Sequence, residues 1–103
     1  MFRELDQKSV LAQVIREAEQ WGANEIEVEY QDGYEEIFFR DGKILFGIER
    51  FKSTSKAAEE LRKGLYDLRK VKNIKVLDQS YKVNVDVYNS FGEDAFKFEF
   101  QRI

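Results

Sequence analysis

The sequence predicts an α+β domain: a mostly antiparallel sheet with two helices packed on one face, in the order α-β-β-β-α-β-β. Three observations carry this. Residues 10–18 and 57–68 place apolar side chains at three- and four-residue spacing, the period of a helix. Several other stretches alternate apolar and polar residues, the period of a strand. Two Asp-Gly pairs, Asp32-Gly33 and Asp41-Gly42, join alternating segments. Asp-Gly in that position is the strongest short-range hairpin signal, because a type I′ turn needs positive φ at both central residues. A chain of 103 residues has room for one compact domain, spanning 1–103. Its hydrophobic fraction of 43%, with nine phenylalanines, is enough for one core. It has no proline, hence no rigid linker and no evident domain boundary.

The first helix follows from Leu11, Val14, Ile15 and Ala18, with Val10 at the stripe's edge. Asp6 or Ser9 can cap its start, and Trp21-Gly22 ends it, with Gly22 free to turn left-handed. Trp21 reads as a core or junction residue. Ile26, Val28 and Tyr30 then alternate with Glu25, Glu27 and Glu29 as a half-buried strand. Turns at 32–33 and 41–42 would set 28 opposite 37 and 37 opposite 46. That register predicts rows Ile26–Phe39–Ile44 and Val28–Ile37–Phe46, with Tyr30–Glu35–Ile48 looser at the rim. It leaves Glu25, Glu27, Glu29, Glu36, Arg40 and Lys43 on the other face, with Arg40 opposite Lys43, and sets Phe38 opposite Leu45 there. The second helix starts at Thr54 or Ser55 and buries Ala57, Ala58, Leu61, Leu65 and Leu68. Gly64 lies within it and predicts a close approach to the sheet. Residues 74–78 can add a short strand. YKVNVDV and AFKFEFQ alternate cleanly, so Val83, Val85 and Val87 share a core face with Phe96, Phe98 and Phe100, across a turn in NSFGED.

No residue set identifies a reaction. Cysteine and histidine are both absent, which removes thiol chemistry, disulfides, the imidazole base and the common zinc ligand. The lack of cysteine suits the cytoplasm. No run of about 20 apolar residues exists to cross a membrane, and MFRELDQKSV has no apolar signal region. Neither a phosphate-binding glycine loop nor a calcium loop is present. Ser53 and Lys56 meet an S-x-x-K spacing without its companion motifs, and capping explains these serines more simply. The sequence therefore assigns no catalytic residue, no metal ligand and no cofactor.

Charge is the remaining signal. The net charge is −3, which argues against a bulk nucleic-acid footprint. The distribution is uneven: residues 17–36 carry acids with no Lys or Arg, while 62–75 carry Arg62, Lys63, Arg69, Lys70, Lys72 and Lys75 against Asp67 alone. Glu36 should face Glu29, a like-charge pair that a basic partner would relieve. The plain alternative is a solvated sheet face. The candidate interface is thus Glu27, Glu29, Glu36, Phe38 and Leu45 on the sheet, with Arg62, Lys63, Arg69 and Lys70 on the second helix.

GANEIEVE at 22–29, just after a helix, resembles the "GASDIHIE" segment in the N-terminal domain of the type II secretion and type IV pilus assembly ATPases. FFRDGKI at 38–44 is similar to that domain's R-x-D-G-x-L hairpin. The helix ending near Arg69-Lys70 matches the next element in order. YNSFGEDAFKFEF at 88–100 resembles the segment where a Gly-Glu pair, here Gly92-Glu93, leads into the last strand. The resemblance spans roughly 10–102. Glu25 and Glu27 replace the family's Asp and His, residues 77–83 read LDQSYKV in place of its Arg-Arg and Pro-Gln-Asp-Gly segment, and the ATPase core is missing. The resemblance implies an adaptor-like domain that packs against partners. The expectation is a non-enzymatic interaction module, with a protein partner or a second copy of itself. The rival is a small-molecule-binding domain or a carboxylate-based enzyme using Tyr30 and Trp21, which a deep pocket would favour.

Overall fold

The computed structural model describes residues 2–103. Its elements are β1 (Arg3–Leu5), α1 (Val10–Gln20), β2 (Glu25–Gln31), β3 (Tyr34–Asp41), β4 (Ile44–Lys52), α2 (Lys56–Asp67), β5 (Asn73–Val76), β6 (Gln79–Ser90) and β7 (Glu93–Arg102). Seven strands form one sheet in the order β1-β5-β6-β7-β2-β3-β4. Two antiparallel meanders, β2-β3-β4 and β5-β6-β7, join where β2 pairs antiparallel with β7. The fold is therefore the expected α+β arrangement, with both helices over one face. The addition is β1, which pairs parallel with β5, Arg3 opposite Ile74. Three residues are too few for alternation to register in a sequence.

Local chemistry sets the helix ends. The Ser9 hydroxyl accepts from the Ala12 amide at 3.1 Å, and Ser55 does the same for Ala58 at 3.1 Å. At the end of α1, the Ala23 amide bonds to the Ala18 carbonyl and the Gly22 amide to the Glu19 carbonyl, at 2.9 and 3.0 Å. This closure needs Gly22 at φ +73°, a conformation that costs glycine nothing. Trp21 caps the helix and is 55% exposed, so it is a junction residue and not a core one.

The helix stripes and the inward strand residues meet in a single core. Leu11, Val14, Ile15 and Ala18 of α1, with Leu61 and Leu65 of α2, cover Ile26, Val28, Ile37, Phe39, Phe96 and Phe98. Val83 opposes Phe100, Val85 opposes Phe98 and Val87 opposes Phe96, the alignment the alternation predicts. Each fully buried phenylalanine contributes about 2–3 kcal/mol relative to exposure. Gly64 makes its close approach to α1 and not to the sheet. A β-carbon there would lie 3.4 Å from Leu11 Cδ2 and 3.6 Å from Leu11 Cβ. Those are ordinary contacts, so helix propensity decides the outcome. Gly64→Ala should stabilise by about 0.5–1 kcal/mol in denaturant unfolding; a loss of stability would mean that Leu11 cannot yield.

The two Asp-Gly turns behave differently. Asp32 and Gly33 take φ +50° and +85°, and Val28 opposes Ile37 as expected. In the second hairpin Asp41 stays in β3 opposite Ile44, and Gly42-Lys43 forms the turn. Only Gly42 there has positive φ, at +62°, which suits a turn with glycine first. This one-residue difference corrects the predicted register. Phe39 opposes Phe46, Arg40 opposes Leu45, and Phe38 opposes Gly47, so neither the Phe38–Leu45 nor the Arg40–Lys43 pair forms. Ile48 is then extra in a bulge, because Ile37 opposes Glu49. The third row becomes Tyr30–Glu35–Phe51.

The Phe91-Gly92 turn between β6 and β7 has φ +53° and +85°, with Phe91 fully exposed. Phenylalanine in the left-handed region is strained, and asparagine before glycine is the favoured pair. Phe91→Asn should therefore raise stability by about 1 kcal/mol, visible as a higher melting temperature. No change, or a fall, would show that Phe91 has a contact in the free chain.

Candidate functional site

The third row builds the most distinctive site. Glu35 has the same strand parity as Ile37 and Phe39, so its side chain points to the helix-covered face. It is 2% exposed. The loop after β4 folds back over this end, with the Ser53 amide bonded to the Gly33 carbonyl at 2.9 Å. Arg62 of α2 reaches in. It donates to the Ser53 carbonyl at 3.0 Å, and another of its nitrogens lies 3.6 Å from Glu35 Oε1. Glu35 Oε2 is buried without a hydrogen-bond partner. An orphaned buried oxygen of this kind is rare and costly.

A cleft of about 420 Å³ opens at this point, lined by Tyr30, Glu35, Ser53, Arg62, Tyr66, Glu93 and Asp94. The Tyr66 hydroxyl donates to Asp94 Oδ2. That bond, with burial and the negative charge of Asp94, holds the Tyr66 phenol above its ordinary range. Burial pushes the Glu35 carboxyl up; the Arg62 charge and hydrogen bond only partly offset it, and Glu93 adds to the rise. The cleft thus holds three carboxyl groups against one guanidinium. Among the described residues, no three acids converge closely enough to hold a metal ion.

The acidic residues singled out in the sequence lie elsewhere, on the open face. Arg40 Nε is 2.8 Å from Glu25 Oε2, its NH2 is 2.7 Å from Glu27 Oε2, and Lys97 Nζ is 3.7 Å from Glu25 Oε1. Much of the predicted acidity is therefore neutralised across strands. Glu29 and Glu36 do face each other; the Tyr88 hydroxyl donates to Glu29 at 3.2 Å, and Arg50 opposes Glu36. Burial, then the charge of Glu29, pushes the Tyr88 phenol up to about 12. Phe38 is half-buried between Glu27 and Gly47.

The basic residues of α2, and Arg69 and Lys70 just past its end, lie on the opposite, helix-covered side. Arg62 belongs to the cleft, Arg69 sits over the Tyr66 ring at 5.2 Å, and Lys63 and Lys70 are exposed. The acidic and basic halves of the candidate interface therefore do not share a surface. Leu45 opposes Arg40 and so stays on the open face, exposed at the sheet's edge, while Ile44 and Phe46 beside it on β4 turn to the other face, where the Trp21 ring is 5.9 Å from that of Phe46.

No helix among the described residues is long and apolar enough to cross a membrane. No family model and no curated protein matches the chain.

Proposed function

We propose that this chain is a non-enzymatic interaction module that pairs with a second copy of itself along β4. The observation that carries this is the edge itself. β4 is a nine-residue edge strand, whereas β1 at the other edge has three residues. Its leading residues Ile44, Leu45 and Phe46 are 58%, 41% and 36% exposed, and Trp21 extends the apolar surface. A long edge with exposed apolar residues presents unpaired backbone groups ready for another strand. β4 is also self-complementary. In an antiparallel pair centred on Phe46, Phe46 of each copy opposes its counterpart and Leu45 opposes Gly47, ahead of the bulge at Ile48. The two sheets would become one, a twofold interface in which each contact occurs twice.

The ordered motifs shared with the secretion-ATPase N-terminal domain favour an adaptor role of this kind, and the missing cysteine fits a cytoplasmic setting. The open face, still carrying Glu29, Glu36 and Phe38, is left for a further protein partner. Sedimentation over a concentration series at low and high salt tests the pairing. A reversible monomer–dimer equilibrium is expected; a monomer at all concentrations overturns it.

A further inference from the structure

We propose that the cleft above Glu35 is a binding site for an organic monocation, a guanidinium or primary ammonium group. The site is built on one side chain, Glu35, which is 2% exposed and leaves Oε2 without a donor. A ligand N–H at that oxygen would replace the missing bond with a charge-assisted one. The sign of the ligand follows from the lining. Glu35, Glu93 and Asp94 face a single cation, Arg62. Arg62 is already committed to the Ser53 carbonyl and to Glu35 Oε1, so an anion would find acids and an occupied guanidinium. Among the described residues, no three acids are grouped closely enough to hold a metal ion. An alkyl chain ending in a cation has the reach that an ion lacks, and the rings of Tyr30 and Tyr66 in the lining suit its apolar stem.

Ethylguanidinium and n-butylammonium are the free probes, and a short peptide with one arginine is the third. Propionate is the anionic control. Backbone amide shifts followed by NMR should saturate for the cations at residues 30, 35, 53, 62 and 66. Glu35→Gln keeps the shape of the side chain and should weaken binding about tenfold or more, because the charged acceptor is lost. Arg62→Met removes the competing cation and should tighten binding. A bound cation favours ionised Glu35, so affinity should rise as pH rises through the raised Glu35 value. Tighter binding of the peptide than of ethylguanidinium assigns the site to a protein side chain, and the reverse assigns it to a free metabolite; both support a cation site. No saturable shift with any cation overturns the proposal. So does saturable binding of propionate that Arg62→Met abolishes. The test is separable from strand pairing, since none of the cleft's lining residues is among Ile44–Ile48, which the pairing uses.

Discussion

Glu35→Met should raise the unfolding free energy at pH 7 by about 1–3 kcal/mol, or roughly 4 °C or more in melting temperature. The native carboxylate occupies an inward row between Tyr30 and Phe51 with one oxygen unpaired. Methionine fills a similar volume there and leaves nothing to hydrate. Arg62 loses a partner at 3.6 Å but keeps the Ser53 carbonyl and remains partly in water, so its loss is the smaller effect. The pH dependence gives a second signature. Glu35 binds its proton more tightly in the folded chain than in the unfolded one, because its folded value lies above 4.5. Its favourable contribution is complete below that unfolded value and is lost as pH rises through the folded one. Denaturant unfolding of the wild type should show this loss, and both Glu35→Met and Glu35→Gln should remove it. A large destabilisation by methionine would show instead that Glu35 and Arg62 form a fully compensated pair.

Glu19 supplies the opposite sign. Burial alone would raise it, but bonds from Arg102 and Tyr81 and the Arg102 charge bring it below 4.5. Its contribution is present above 4.5 and is lost as pH falls through the lowered value. The same contact ties β7 to α1, with Arg102 Nε 2.7 Å from Glu19 Oε2. The Tyr81 hydroxyl donates to Glu19, and its phenol, raised by burial and then by that bond, reaches about 12. Acid thus weakens one end of α1 while relieving the cleft at the far end of the sheet. The carboxyl that burial raises is the one on which the proposed cation site is built.

Periodicity made most of this fold readable. Phe96, Phe98 and Phe100 alternate with polar residues and lie where alternation puts them, and Gly22 closes α1 as its position suggests. The second hairpin was ambiguous for a physical reason. Asp41-Gly42 can occupy both central turn positions, or Gly42 can occupy the first alone, and short-range sequence does not choose between them. That choice moves Leu45 from Phe38 to Arg40 and leaves Ile44, Leu45 and Phe46 along the edge. Glu35 carried a usable signal in its parity with Ile37 and Phe39. A glutamate at the end of such a row looks like a rim residue until the Ser53 loop and Arg62 cover it, and those contacts depend on how α2 packs. The charge clusters are a related case: their order along the chain does not reveal which side of the sheet each lies on, and here the acids and the bases lie on opposite sides.

The same register makes the β4 pairing open to a sharp test. Phe46→Lys should weaken the dimer at least about 100-fold, because a residue on the twofold axis is changed in both copies and two like charges then meet. The monomer should stay folded, since Phe46 is 36% exposed at the sheet's edge and its ring neighbour Trp21 is itself exposed. A melting curve separates loss of pairing from loss of fold. If Phe46→Lys sediments like the wild-type dimer while Phe38→Ser becomes monomeric, association runs through the open face and the edge pairing is wrong.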